Sequence, residues 1–188
     1  RWWDRRQARC PRRIHIITSR IEHSAILATC RFLESMGHCV SYVPVDAGGR
    51  VDPEEVRRHL RPNTRLISVM HANNETGVVQ PIEAIAAIAR AAGIPFHTDA
   101  CQTAGNLPIA VRALPADMVP PSALKLYGPK GVGALFVRDA FGLEPLLHGG
   151  PPHSQLRAGT GSVVAILLFR TGRQWAHRPA EGAAHVWS

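Results

Sequence analysis

Residues 65–82 read RLISVMHANNETGVVQPI: a short apolar run, a polar loop and the start of a new apolar period. The first six residues suit a buried strand, and the Asn73-Asn74 pair with Gly77 closes it in a turn. Ile82, Ile85, Ala86 and Ala89 then recur at i, i+3, i+4 and i+7, which is one face of a helix. Gly93 stops that helix, and residues 94–99 form the next strand, ending in the polar His97-Thr98-Asp99. Strand, loop, helix and strand in this order form the unit of a parallel sheet, because parallel neighbours need a crossover rather than a hairpin.

The same unit repeats outward. Residues 14–18, IHIIT, are a β-branched run, followed by a helical stretch from Ser24 to about Met36 and a stop at Gly37. Residues 38–45 alternate polar and apolar up to the Gly48-Gly49 turn. Asp52-Pro53-Glu54-Glu55 then supplies an N-cap, a first-turn proline and the glutamate of a capping box, with Val56 and Leu60 on one helix face. Further short strands fall near Met118 and at residues 133–137. The expected fold is α/β: three layers, with a mostly parallel sheet flanked by helices. In such folds ligands bind beyond the carboxyl ends of the strands.

With 188 residues, 45% of them apolar and 19% charged, the chain can bury one core and does not have a disordered composition. Its longest apolar run, residues 163–169, is far below the roughly 20 residues that cross a bilayer, so no membrane span is expected. The Arg- and Trp-rich start has no apolar stretch of a secretory signal. The net charge of +8 is concentrated at the ends: residues 1–13 hold six arginines against Asp4, and residues 163–188 hold three against Glu181. All four tryptophans also lie in those ends. This divides the chain into a divergent basic segment at 1–13, a ligand-binding domain at 14–162 and a divergent tail at 163–188. A basic nucleic-acid arm at 1–13 is the alternative reading of that charge, and the preferred expectation is no nucleic-acid partner. Four cysteines without paired spacing point to a reduced, cytoplasmic setting, and ten histidines without ligand spacing point to no metal site.

Polar clusters follow four of the strands: Glu22-His23, residues 73–77, Asp99 with Gln102, and Ser122 with Lys125. The glycine-rich residues 128–133, GPKGVG, match neither phosphate-loop pattern. A carbonyl cofactor fits the clusters better than a nucleotide. A desolvated lysine forms a Schiff base, and an aspartate keeps a pyridine nitrogen protonated so that the ring accepts electrons. His23 offers a flat ring for stacking, Asn74 and Gln102 offer hydrogen bonds to a phenolic oxygen, and Ser122 offers a hydroxyl to phosphate. Cys101, by strand parity, is expected to point away from Asp99 into the core.

These stretches carry a resemblance. IITSRIEHSAI (16–26), SVMHANNETGVVQPI (68–82), HTDACQTAG (97–105), SALKLYGPKGVGALFVR (122–138) and LRAGT (156–160) resemble, in order and spacing, the large domain of the cysteine desulfurase and selenocysteine lyase family. These are pyridoxal-phosphate enzymes of fold type I within the class V aminotransferases. The resemblance implies that Lys125 is the Schiff-base lysine, that Asp99 partners the pyridine nitrogen, and that His23 stacks on the ring and helps proton transfer. It also implies Asn74 and Gln102 near the phenolic oxygen or substrate, Ser122 on the phosphate, and Thr160 on the phosphate of the other subunit of a homodimer. The implied reaction removes sulfur from L-cysteine, leaving alanine and an enzyme persulfide that a sulfur-acceptor protein receives. Selenocysteine is the alternative substrate, and a non-catalytic remnant or dimerisation module of the same fold is the alternative of a different class.

The chain also departs from the family pattern. Leu124 stands where family members place a phosphate-contacting histidine before the lysine. The N-terminal phosphate loop, the substrate-carboxylate arginine and the mobile loop with the nucleophilic cysteine have no counterpart in the sequence, which reads as a truncated form.

Overall fold

The computed structural model describes residues 13–103, 114–120, 122–126, 128–138, 143, 149 and 161–176. Ten elements follow along the chain: β1 (His15–Ser19), α1 (Ser24–Ser35), β2 (Cys39–Val43), α2 (Pro53–Arg58), β3 (Thr64–Ser68), α3 (Ile82–Ala91), β4 (Phe96–His97), β5 (Met118–Val119), β6 (Phe136–Val137) and α4 (Val163–Ala176). A 3-10 turn at Ala123–Leu126 lies between β5 and β6. The strands form one sheet in the order β2-β1-β3-β4-β5-β6, parallel except for β6, which runs antiparallel to β5.

Strand order and handedness produce the layers. The chain moves outward from β1 to β2, then returns past β1 to β3 and continues to β4. Since parallel crossovers are right-handed, the reversal puts α1 on one face and α2 and α3 on the other. In agreement, α2 packs on α3, while α1 packs beside β2. All five residues of β1 are buried, as a strand covered on both faces must be. The core joins Ile17, Val43, Ile67 and Val69 of the sheet region to Val56 of α2 and Ile82, Ile85, Ala86 and Ala89 of α3. The helical period in the sequence is thus the face that the sheet covers.

The local signals mostly act as read. Asp52 caps α2 by accepting Glu54 N–H at 2.9 Å, with Pro53 opening the helix. Glu55 does not complete the capping box, because its carboxylate turns to Arg58 and His59, one turn on along the same helix face. Gly37 and Gly93 follow α1 and α3 at φ of 91° and 65°, where a side chain would be strained. Val163–Ala176 is a helix, started by Ser162, whose Oγ accepts Ala165 N–H at 3.3 Å. Among the described residues no helix is long and apolar enough to cross a membrane.

A buried polar network ties the amino ends of the strands, opposite the ligand-facing edge. His15 is fully enclosed, with Nδ1 2.8 Å from Thr64 Oγ1 and Nε2 2.9 Å from Ser41 Oγ. Burial, helped by the Arg61 and His59 charges, lowers its pKa to about 4, so the ring is neutral at pH 7.

Candidate active site

The order of strands reverses between β1 and β3, and the crevice beyond their carboxyl ends is where such sheets take ligands. The first two polar clusters border it. His23 follows β1 as the N-cap of α1, its Nδ1 accepting Ala25 N–H at 3.3 Å and its ring otherwise exposed. With Nδ1 used as an acceptor, a neutral His23 carries its proton on Nε2. On the β3 side, Asn74 is exposed in the loop, but its neighbour Asn73 builds that loop. Asn73 Oδ1 accepts Glu75 N–H and Thr76 N–H, both at 2.9 Å, and its Nδ2 donates to the Ile21 carbonyl at 3.0 Å.

The other two clusters meet around Cys101. Asp99 is half-buried just past β4, its Oδ1 accepting Cys101 N–H at 2.9 Å. Residues 101–103 then form a turn, in which Gln102 is half-buried. Strand parity does not apply within a turn, and the expectation that Cys101 points away from Asp99 fails for that reason. Its thiol donates to the Pro120 carbonyl at 3.2 Å, and its backbone N–H holds the Asp99 carboxylate close enough for the Asp99 charge to act on the thiol. Burial first, and then the Asp99 charge, push this thiol up to about 12, against a weaker opposing pull from the Ser122 backbone and Lys125. Cys101 is therefore a protonated linker between the Asp99 turn and the segment that carries Ser122 and Lys125.

That segment is held by backbone geometry. Ser122 bridges to Gly133, Ala123 N–H donates to the Val132 carbonyl at 3.2 Å, and Gly128 N–H donates back to the Ala123 carbonyl at 2.8 Å, closing the 3-10 turn. Lys125 lies in that turn and is exposed, so the desolvation expected to activate its amine is not supplied by the described residues. Thr160 and the Leu124 side chain lie outside what is described. Among the described residues no cluster of three or more His, Cys, Asp or Glu side chains could hold a metal ion.

Two residues without an assigned role from sequence prove central. His71 is buried, with Nδ1 2.9 Å from Thr103 Oγ1, and the Thr103 hydroxyl lies 3.2 Å from the Ala100 carbonyl, which ties the Asp99 turn to β3. Glu22 is buried between β1 and β3. The signal for Glu22 was present: an acid in the short link between an apolar strand and a helix cap, beside a candidate ring-stacking histidine.

The donor set suits pyridoxal phosphate. An accessible primary amine can take a carbonyl, a carboxylate at a strand end can take a protonated ring nitrogen, and an open imidazole can lie against a flat ring. Comparisons with known proteins agree. The family model described as aminotransferase class-V matches residues 6–181. The cysteine desulfurase IscS of Dictyoglomus turgidum is 50% identical over 153 residues, 81% of this chain and 39% of that protein. The mitochondrial cysteine desulfurase of Arabidopsis thaliana is 44% identical over 169 residues, 89% of this chain and 37% of that protein. Among solved structures, SspA in complex with cysteine superposes with a TM-score of 0.85 at 45% identity, over 92% of this chain and 50% of that one. DndA from Streptomyces lividans gives a TM-score of 0.79 at 39% identity, over 86% and 47%. The chain thus spans about two-fifths of the length of these curated relatives. A family match over residues 6–181, with a superposition at a TM-score of 0.85, places it in the aminotransferase class-V family, on the cysteine desulfurase side, where it corresponds to part of the large domain.

Proposed function

We propose that this chain binds pyridoxal 5'-phosphate on Lys125 and forms the cofactor-holding part of a cysteine desulfurase. The observation that carries the reading is the convergence of the Asp99 turn and the Ser122–Lys125 segment on Cys101, beside the crevice flanked by His23 and Asn74. When bound, the cofactor supplies an electron sink for charge at the Cα of an amino acid. Lys125 then holds the carbonyl carbon, and Asp99 holds a proton on the ring nitrogen. His23, open on one face and oriented by Ala25 N–H, lies against the ring and moves a proton through Nε2. Asn74 and Gln102 orient the phenolic oxygen or substrate. Ser122 binds phosphate, with Thr160 of a second copy doing the same across a homodimer.

The substrate in this reading is L-cysteine, converted to alanine with its sulfur passed to an enzyme thiol and on to an acceptor protein, in the cytoplasm. Cys101 is a poor candidate for that thiol, because a group held protonated to about 12 has almost no thiolate at neutral pH. The chain alone is therefore expected to bind cofactor and release little sulfide. The test is to titrate the purified chain with pyridoxal phosphate, reduce with borohydride and map the label. A visible absorbance band and a label on Lys125, lost in Lys125→Ala, support the reading, and a label elsewhere or none removes it.

A further inference from the structure

At the point where the sheet order reverses, a strand amide is left facing a strand that has already ended. Ile67, Val69 and His71 donate their N–H groups to the carbonyls of Pro95, His97 and Asp99, at 3.1, 3.1 and 2.9 Å. Successive strand residues direct their amides to opposite sides, so Met70 N–H faces β1. The last residues of β1 and β3 in register are Thr18 and Ser68, and β1 stops at Ser19. The Glu22 side chain fills the gap. Its Oε1 accepts Met70 N–H at 2.9 Å and the Ser19 hydroxyl at 2.5 Å. Asn73 fastens the same turn through the Ile21 carbonyl. Glu22 is only 5% exposed, and its Oε2 is buried without a partner among the described residues.

We infer that Glu22 is a positioning residue, its carboxyl standing in for the missing strand acceptor and locking the His23 turn onto the end of β3. A buried donor left without an acceptor costs far more than an ordinary hydrogen bond adds, so the amide of Met70 supplies a strong reason for one chain path between β1 and α1. The path sets where the His23 ring stands relative to the loop that carries Asn74. An uncharged Glu22 meets the site without an ionised oxygen in a dry cavity. Gln reproduces that form: its amide oxygen accepts from Met70, and its amide nitrogen takes the place of the protonated oxygen. Met has similar length and accepts nothing comparable.

The functional consequence rests on the pyridoxal-phosphate reading, and the tether itself does not. The experiment compares Glu22→Gln and Glu22→Met in the full chain by two measurements, hydrogen exchange without cofactor and pyridoxal-phosphate titration. Glu22→Met is expected to speed exchange across residues 21–26 and at Met70, and to weaken cofactor binding about tenfold, the equivalent of one lost hydrogen bond. Glu22→Gln is expected to match the unmutated chain in exchange near pH 4, where Glu22 keeps its proton, and to stay within about threefold in binding. Unchanged exchange in Glu22→Met, or an equal loss in both variants, overturns the inference. If Glu22→Met does not fold, the unmutated chain still decides, since a Met70 amide exchanging much faster than those of Val69 and His71 refutes the tether. If the unmutated chain binds no cofactor, the functional reading fails while the exchange comparison still decides the tether.

Discussion

Glu22→Gln is expected to stabilise the chain above pH 7 and to leave it unchanged near pH 4. Burial, and secondarily the Asp99 charge, raise the Glu22 pKa from 4.5 to about 7, against the opposing hydrogen bonds from Ser19 and Met70. A carboxyl with a raised folded pKa holds its proton in the folded state after the unfolded chain has lost it. The folded state therefore binds more protons between pH 4.5 and 7, and its stability falls as pH rises through that window. At about 1.36 kcal/mol per pH unit, the loss is about 3 kcal/mol and is complete above pH 7. Gln does not titrate, so the stability difference between variant and unmutated chain grows by this amount from pH 4.5 to 7. His15, His71 and His97, all with lowered pKa values, act oppositely in the same window, but they are common to both proteins and cancel in the difference. Urea unfolding of both proteins at half-unit steps from pH 4 to 8 measures it. A difference that stays flat across that range would refute the argument that Glu22 is buried as an acid.

Three further outcomes follow from particular contacts. His15→Leu leaves the Ser41 and Thr64 hydroxyls without their imidazole and is expected to cost about 2–3 kcal/mol at pH 7.5. The cost should shrink from pH 6.5 towards 4, because His15, folded pKa about 4, withdraws stability from the unmutated chain as the unfolded state protonates first; urea unfolding at the two ends of that range checks both. Gly128→Ala puts a Cβ 2.9 Å from the Ala123 carbonyl and 3.1 Å from the Ala123 Cβ, which the closed turn cannot admit without moving. Borohydride labelling of Lys125 is expected to fall while exchange in β1 and β3 stays as it was, and normal labelling would show that the turn does not place the lysine. With its thiol at about 12, Cys101 has only about one part in ten thousand thiolate at pH 8. Iodoacetamide followed by peptide mapping is expected to leave it nearly unlabelled in the folded chain.

The sequence by itself determined the order of elements from β1 to β6, because burial patterns are local. A helix face at Ile82, Ile85, Ala86 and Ala89 shows its period whatever covers it, and Asp52-Pro53 starts a helix through its own backbone. The polar ends of the strands were legible for the same reason, since a strand that leaves the core announces it by a change in composition. Lateral order was not. Nothing in residues 15–19 or 64–68 says that these strands are neighbours with β2 outside them, and this adjacency makes the gap beside Met70 that Glu22 fills. The same holds for Asn73, which reads as a turn residue like Asn74 until the Ile21 carbonyl, 52 positions away in sequence, comes to it. Cys101 was misjudged because its direction is set by a turn and by the Pro120 carbonyl across the sheet rather than by alternation along its own strand. Residue type and spacing thus record which groups must be buried or exposed, whereas the partner that satisfies a buried donor or shifts an acid is supplied by chain packed beside it, and only the tertiary structure decides which chain that is.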